Sequence, residues 1–309
     1  MRVLVTGGSG FIGANLVDAL LAAGHEVVSM ERPGTPPPPA GVRVIAADVY
    51  DPGAVGEAIN GVDAVVHCAA TTPSSGADLN AARRAFAINL GGTVNVVQAC
   101  ETHAARLLYL SSASVYGTAG HGPLDEVTTC PQPTAAYGIS KLAAERFVAS
   151  RRTHGLQAAV LRLGSVFGPH ERNTGLRDTL SAPFQVIRAA RLGQAIRLPR
   201  AGLRDWIYAR DAAGAILTCL NLSELPDVPV NIAGLQEWTV ADWCRSLARH
   251  LDMDWDVDAA APTIDFHGAD DRPPLATARM QTLLGFSPRY DTDRACADYL
   301  EWLKEHDPT

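Results

Sequence analysis

The chain opens on RVLVT (residues 2–6), an apolar, largely β-branched run that passes directly into Thr6-Gly7-Gly8-Ser9-Gly10-Phe11-Ile12-Gly13. Such a run suits a strand buried on both faces. From Phe11 to Ala23 the pattern changes: Ile12, Leu16, Ala19, Leu20 and Ala23 share one face of a helix, and Gly24 ends it. A strand joined to a helix by three spaced glycines leaves few folds open. Gly7 permits a tight turn, Gly10 lets a backbone approach a pyrophosphate, and Gly13 allows close helix–strand packing, while the amides of Phe11 and Ile12 open the helix. Glycine turns are common, and a purely structural turn is the competing reading. Placed between strand and helix, with an acidic residue 18 positions after the last glycine, the triplet indicates dinucleotide binding.

The same alternation continues. HEVVSME (25–31), VRVIAA (42–47), VDAVVHCAA (62–70), RLLYLSS (106–112) and LQAAVLRLG (156–164) read as strands, with helical patterns at 52–60, 79–103 and 137–154 between them. Strands and helices at this spacing form right-handed βαβ units, so the expected class is α/β with a doubly wound parallel sheet. PGTPPPPAG (33–41) excludes helix and central strand and reads as a stiff surface loop. After about residue 165 the alternation weakens. Segments 181–193, 211–222, 239–251 and 277–284 read as helices, while 252–262 and 270–278 look irregular.

Composition removes several functional classes. Lys plus Arg is 26 against 33 for Asp plus Glu, and no basic tract is present, so a nucleic-acid partner is not expected. No apolar run approaches the roughly 18–20 residues that cross a bilayer, so no membrane partner is expected either. MRVLVTGGSG starts a strand at once, which leaves no room for a secretory leader. The six cysteines are scattered, without metal spacing, and read as reduced thiols in a cytoplasmic protein with no structural metal.

Glu31 closes the second strand, where an acidic side chain accepts from both adenosine-ribose hydroxyls and favours NAD over NADP. Arg32 beside it offers a partner to a 2′-phosphate, which the carboxylate would repel. Asp48, with Val49, falls where the adenine edge would lie, although a turn is the simpler role for Asp48. Tyr137 and Lys141 stand four apart on a helix and share a face. A nearby ammonium stabilises phenolate and lowers the tyrosine pKa towards a range useful for proton transfer. Ser111-Ser112, at the end of a preceding strand, places a hydroxyl where it can bond a substrate oxygen.

TGGSGFIG, HCAA (67–70), SSASVYG (111–117), YGISK (137–141) and RDWIYARDAAGA (204–215) occur in the order and spacing of extended short-chain dehydrogenase/reductases. From residue 1 to about 220 the chain resembles their NAD-dependent epimerase/dehydratase branch. The resemblance implies a Rossmann dinucleotide-binding domain (1–165 and 203–228) and a smaller, mainly C-terminal α+β substrate domain (166–202 and 229–309). It makes Tyr137 the general base, Lys141 its partner and a ligand of the nicotinamide ribose, and Ser112 the catalytic hydroxyl, with Ser114 a neighbour on the substrate side. Cys68, Ala69 and Ala70 would line the cofactor cleft through their backbone, and Asn89 would be structural. Helices 79–103 and 137–154 would form the interface of a homodimer.

Dehydratases of this branch carry Thr-Asp-Glu where this chain has Ser112-Ala113-Ser114, which disfavours dehydration. The substrate end also departs from the family. Its R-x-x-N-x-x-G-P asparagine is Ser165 here, with no amide fork. Arg204 matches the arginine that grips a diphosphate, and the same guanidinium geometry suits a carboxylate. His170 and Arg172 follow Gly168-Pro169 and are substrate-contact candidates, with solvated loop residues as the alternative. Arg162, inside a strand, reads as a buried structural pair. The resulting expectation is an NAD-dependent sugar oxidoreductase acting as a nucleotide-sugar epimerase. A dehydrogenase of a free sugar or sugar acid is the alternative, and a non-catalytic NAD-sensing module is the alternative of another class.

Overall fold

The computed structural model describes residues 1–74, 76–118, 122–173, 180–266, 268 and 270–306. In chain order, the first half comprises β1 (Arg2–Thr6), α1 (Phe11–Ala22), β2 (Glu26–Glu31), β3 (Arg43–Ala46), α2 (Pro52–Ile59), β4 (Ala64–His67), α3 (Leu79–Ala85), α4 (Gly92–His103), β5 (Arg106–Ser112), α5 (Ala136–Arg152) and β6 (Ala158–Leu163). Then follow β7 (Val166–Phe167), α6 (Ala182–Arg191), β8 (Ile196–Leu198), β9 (Leu203–Arg204), β10 (Ile207–Tyr208), α7 (Ala209–Leu220), β11 (Val230–Ile232), β12 (Trp238–Thr239), α8 (Val240–Leu247), β13 (Trp255–Val257), α9 (Ala278–Leu284) and α10 (Thr292–His306).

Seven strands form one parallel sheet in the order β3-β2-β1-β4-β5-β6-β11. The order reverses its direction of growth between β1 and β4, the switch point beside which a doubly wound sheet opens a crevice at its carboxyl edge. Alternate side chains of β1 explain why both faces must be covered. Val3 and Val5 pack with Leu16, Leu20, Ile216 and Met280 on one side, while Leu4 packs with Val65, Val96, Leu107 and Val148 on the other. A third core, built on Phe167, Val186, Trp206, Trp243, Tyr299 and Leu303, joins β7, α6, α8 and α10.

Four features differ from the sequence reading. The helix expected over 79–103 contains a π-helical turn, Phe86–Gly91, between α3 and α4. α10 was not anticipated, and 252–262 contains β13. The sheet also continues through β11, past the boundary expected at residue 228, and Met280, Leu284 and Phe286 around α9 pack in the core beneath it. A three-residue strand is too short to register as an apolar run, and its membership is decided by its neighbour β6. Among the described residues no helix is long and apolar enough to cross a membrane.

Candidate active site

The expected site residues gather along the carboxyl edge of the sheet, each from the segment that follows a different strand. The glycine-rich loop follows β1. Gly7 adopts φ +72°, and a Cβ at Gly13 would collide with the Gly7 carbonyl and sit 2.7 Å from Gly8 Cα, so α1 reaches the loop only because residue 13 has no side chain. Gly10 is the N-cap of α1 and no side chain caps that helix end. A cradle of this shape, open where a pyrophosphate would meet amides, fits a dinucleotide.

Glu31, at the end of β2, is 5% exposed and turns towards the loop. Ser9 N donates to it at 2.8 Å, and the hydroxyls of Ser9 and Ser29 each donate at 2.5 Å. Three of the roughly four lone-pair positions of the carboxylate are thus met by the protein. Arg32 is exposed beside it. Asp48 lies one strand away, since Ala47 N donates to the Glu31 carbonyl, and its own carboxylate accepts from Tyr50 N at 3.0 Å in a turn. Val49 is buried against Gly92, where a Cβ would lie 2.7 Å from the valine methyl.

After β4, Cys68 N donates to the Thr6 carbonyl and Ala69 N to Thr6 Oγ1 at 3.1 Å, and a Cβ at Gly7 would touch Ala69 Cα at 3.2 Å. The HCAA segment, continuing through Ala70, therefore backs directly onto the glycine-rich turn. His67 is fully buried between Thr6 Oγ1 (2.7 Å) and Thr93 Oγ1 (3.1 Å). Burial, reinforced by the charge on Lys141, pushes its pKa down to about 3, so the ring is neutral. Burial also pushes the Cys68 thiol up to about 12, against the opposing pull of Lys141, which leaves it unreactive.

Lys141 Nζ donates to the Leu110 carbonyl at 2.7 Å and lies 4.8 Å from the Tyr109 ring centroid. Burial lowers its pKa to about 8, opposed by Cys68 and Glu145. The same helix carries Tyr137 in its first turn, half-buried. Between them Gly138 allows α5 to meet the Ser112–Ser114 turn, because a Cβ there would collide with the Ser114 carbonyl. Ser112 Oγ accepts from Ser114 N at 3.2 Å and donates to Ser114 Oγ at 3.1 Å. Asn89, in the π-helical turn, bonds both backbone groups of Thr71 and donates to Ser140 Oγ, which donates to the Tyr137 carbonyl. Asn89 thus steadies the first turn of the tyrosine helix. The arrangement brings a phenol, a buried ammonium and a serine turn to one edge beside the dinucleotide cradle.

Ser165 follows β6, whose Leu163 pairs with Ser112, and its carbonyl accepts from Ile207 N at 2.9 Å. That bond sets the Arg204–Trp206 segment alongside the site. Arg204 is pushed down to about 10, chiefly by burial and then by the adjacent Arg272. Arg272 was not anticipated from sequence. Its Nη2 donates to the buried Asp205 at 2.6 Å, while its Nη1 is buried with no hydrogen-bond partner among the described residues, as is Trp206 Nε1. Arg200 pairs with Asp271 at 2.8 Å. Arg200, Arg204 and Arg272 thus gather here with Asp205 and Asp271, and Arg200 Nη2 also donates to the Asp270 carbonyl. The sequence signal was slight: one arginine before Pro-Pro in an irregular stretch.

The substrate-contact candidates His170 and Arg172 meet groups of α1 and the glycine-rich loop. His170 meets Asp18 of α1 at 2.8 Å and Trp302 of α10 at 5.0 Å between ring centroids, and Arg172 Nη2 donates to the Ser9 carbonyl at 2.8 Å. Arg162 forms the buried pair its place in a strand implies, with Glu145 at 2.8 Å and both side chains 3% exposed.

A model of the NAD dependent epimerase/dehydratase family matches residues 3–233, and the chain belongs to that family. It is an NAD-dependent enzyme of the short-chain dehydrogenase/reductase type. A dTDP-glucose 4,6-dehydratase of Streptomyces niveus is 28% identical over 325 residues, covering 99% of this chain and 94% of that protein. The structure of MoeE5 in complex with UDP-glucuronic acid and NAD superposes with a TM-score of 0.81 at 26% identity, covering 99% of both chains. A UDP-galactose 4-epimerase structure gives 0.79 at 25% identity, covering 99% of this chain and 100% of the other.

Proposed function

We propose that this enzyme is a nucleotide-sugar epimerase in which Tyr137 removes the proton of a sugar hydroxyl. The observation that carries the reading is the convergence of Ser112, Tyr137 and Lys141 on the glycine-rich cradle, with an arginine-rich corner at the other end of the site. Ser112 holds the reacting oxygen as its charge changes, and Lys141 supplies the positive charge that favours phenolate at Tyr137. NAD, when bound, accepts a hydride from the carbinol carbon and returns it. Arg204 and Arg272 hold the substrate's diphosphate. The buried Ala113 and the neutral Ser114 provide no acid for eliminating water, which supports epimerisation over dehydration although dehydratases are among the relatives.

Ser165 favours a second reading, a dehydrogenase of a free sugar or sugar acid, because it lacks the amide for a diphosphate. Exposed Leu79, Phe86 and Ile139 on α3, the π-helical turn and α5 support a homodimer through those helices. The test is to incubate the NAD-loaded enzyme with UDP-, dTDP-, GDP- and CDP-sugars and free sugar acids, following sugar configuration by NMR and NADH by absorbance. Inversion of one nucleotide sugar without net NADH supports the epimerase. Stoichiometric NADH from a sugar acid alone overturns it in favour of the dehydrogenase.

A further inference from the structure

The segment leaving β7 runs back over α1 and is pinned at every step. The Pro169 carbonyl accepts from Asn15 Nδ2 at 2.7 Å. His170, with φ +63°, holds Asp18 at 2.8 Å. The buried Glu171 carboxylate accepts from Ser181 N at 2.7 Å and from Ser181 Oγ at 2.5 Å. A non-glycine residue in the left-handed region persists only where its surroundings over-determine it. With these three anchors set, Arg172 arrives at the glycine-rich loop and donates to the Ser9 carbonyl at 2.8 Å.

Ser9 is the residue before Gly10, the uncapped N-cap of α1. Its amide and hydroxyl are both committed to Glu31, so the loop tip is gripped by a carboxylate on one side and a guanidinium on the other. The contact to Ser9 takes one of the five N–H donors of a guanidinium, and Arg172 is otherwise exposed at the loop. A planar fork with donors to spare suits phosphate oxygens better than a point charge does.

We propose that Arg172 is a ligand of the cofactor's pyrophosphate, a positive charge delivered to the dinucleotide by the segment after β7 rather than a substrate contact. The inference rests on the glycine-rich loop binding NAD. It assigns to Arg172 the electrostatic share of cofactor retention that the α1 N-terminus leaves to a side chain.

The test is calorimetric titration of the full chain and of Arg172→Gln and Arg172→Lys with NAD, NADP, ADP-ribose and adenosine, alongside melting temperatures. Glutamine keeps a donor for Ser9 and removes the charge. Arg172→Gln is expected to raise the Kd for NAD and ADP-ribose about tenfold to hundredfold. Adenosine, which lacks phosphate, should bind all three proteins alike, and Arg172→Lys should fall between the others. High salt should narrow the difference between arginine and glutamine. Equal weakening of adenosine would show that Arg172 only braces the loop and would overturn the proposal. Unchanged NAD affinity, or a loss confined to NADP, would overturn it too. Failure of the unmodified chain to bind NAD would instead remove the dinucleotide reading on which the proposal stands.

Discussion

The two ends of the site satisfy their polar groups to different degrees. Around the glycine-rich loop, Thr6, Ser9, Glu31, His67, Asn89 and Thr93 all find partners within the protein. Around Arg204, the buried Arg272 Nη1 and Trp206 Nε1 have no hydrogen-bond partner among the described residues. A buried donor left unmet costs about 1–3 kcal/mol. Most side chains of the loop end are met before anything binds, while the uncapped α1 N-terminus stays open and Tyr109 Oη and Ser111 Oγ go unmet. The other end is where the proposed reading puts discrimination between substrates.

That contrast can be broken by substitution. The largest effect is expected at the junction: Tyr137→Phe should lower kcat by about 10²–10⁴-fold, with NAD affinity unchanged by titration. Activity surviving at the original level would remove Tyr137 from its assigned role. Next comes Arg272→Ala, which should weaken binding of the nucleotide-sugar diphosphate by roughly tenfold to hundredfold and leave NAD untouched. An equal loss for NAD would show that the two ends are not separable.

The loop end carries a pH signature. Folded, His67 is held neutral by burial with a pKa of about 3, whereas the unfolded chain takes up a proton below its ordinary 6.5. The unfolded state therefore binds more protons between these values, and stability falls as pH drops from 6.5 towards 3, at up to about 1.4 kcal/mol per pH unit. Chemical denaturation across that window should show a slope shallower by one proton for His67→Gln. An identical slope would place the titration elsewhere. The smallest effect should come from Ser165→Asn, which restores an amide and should tighten nucleotide-sugar binding by roughly twofold to tenfold, one net hydrogen bond. A loss of affinity there would favour the free-sugar reading.

Legibility in the sequence followed the range of the interactions. RVLVT and RLLYLSS coincide with β1 and β5 because a buried parallel strand writes its apolar run locally. Helical spacing puts Tyr137 and Lys141 on one face, and the Ser111-Ser112 strand end and the family motifs singled them out. The π-helical turn was not, since one inserted residue within 79–103 barely disturbs an apolar period. α10 left a readable pattern in Ala295, Cys296, Tyr299 and Leu303, which are all buried. Arg272 depends on Asp205, 67 positions away, and no local pattern announces such a contact. His170 and Arg172 follow Gly168-Pro169 as a loop at a cleft mouth would, yet contacts with Asp18 and Ser9 decide their place.

The way the sheet is clothed has a consequence for how the polypeptide is made. One side of the sheet is covered by α2, α4 and α5, all contributed by the first 152 residues. On the other side, Leu108, Leu110, Ala159 and Leu161 wait for Ala212, Ile216, Met280 and Leu284. A nascent chain that has just completed β6 therefore shows an apolar wall to solvent or to a chaperone until residue 284 has emerged. Separately expressed halves cut near residue 165 should accumulate as aggregates, and the final stretch of synthesis is when this protein is most in need of protection.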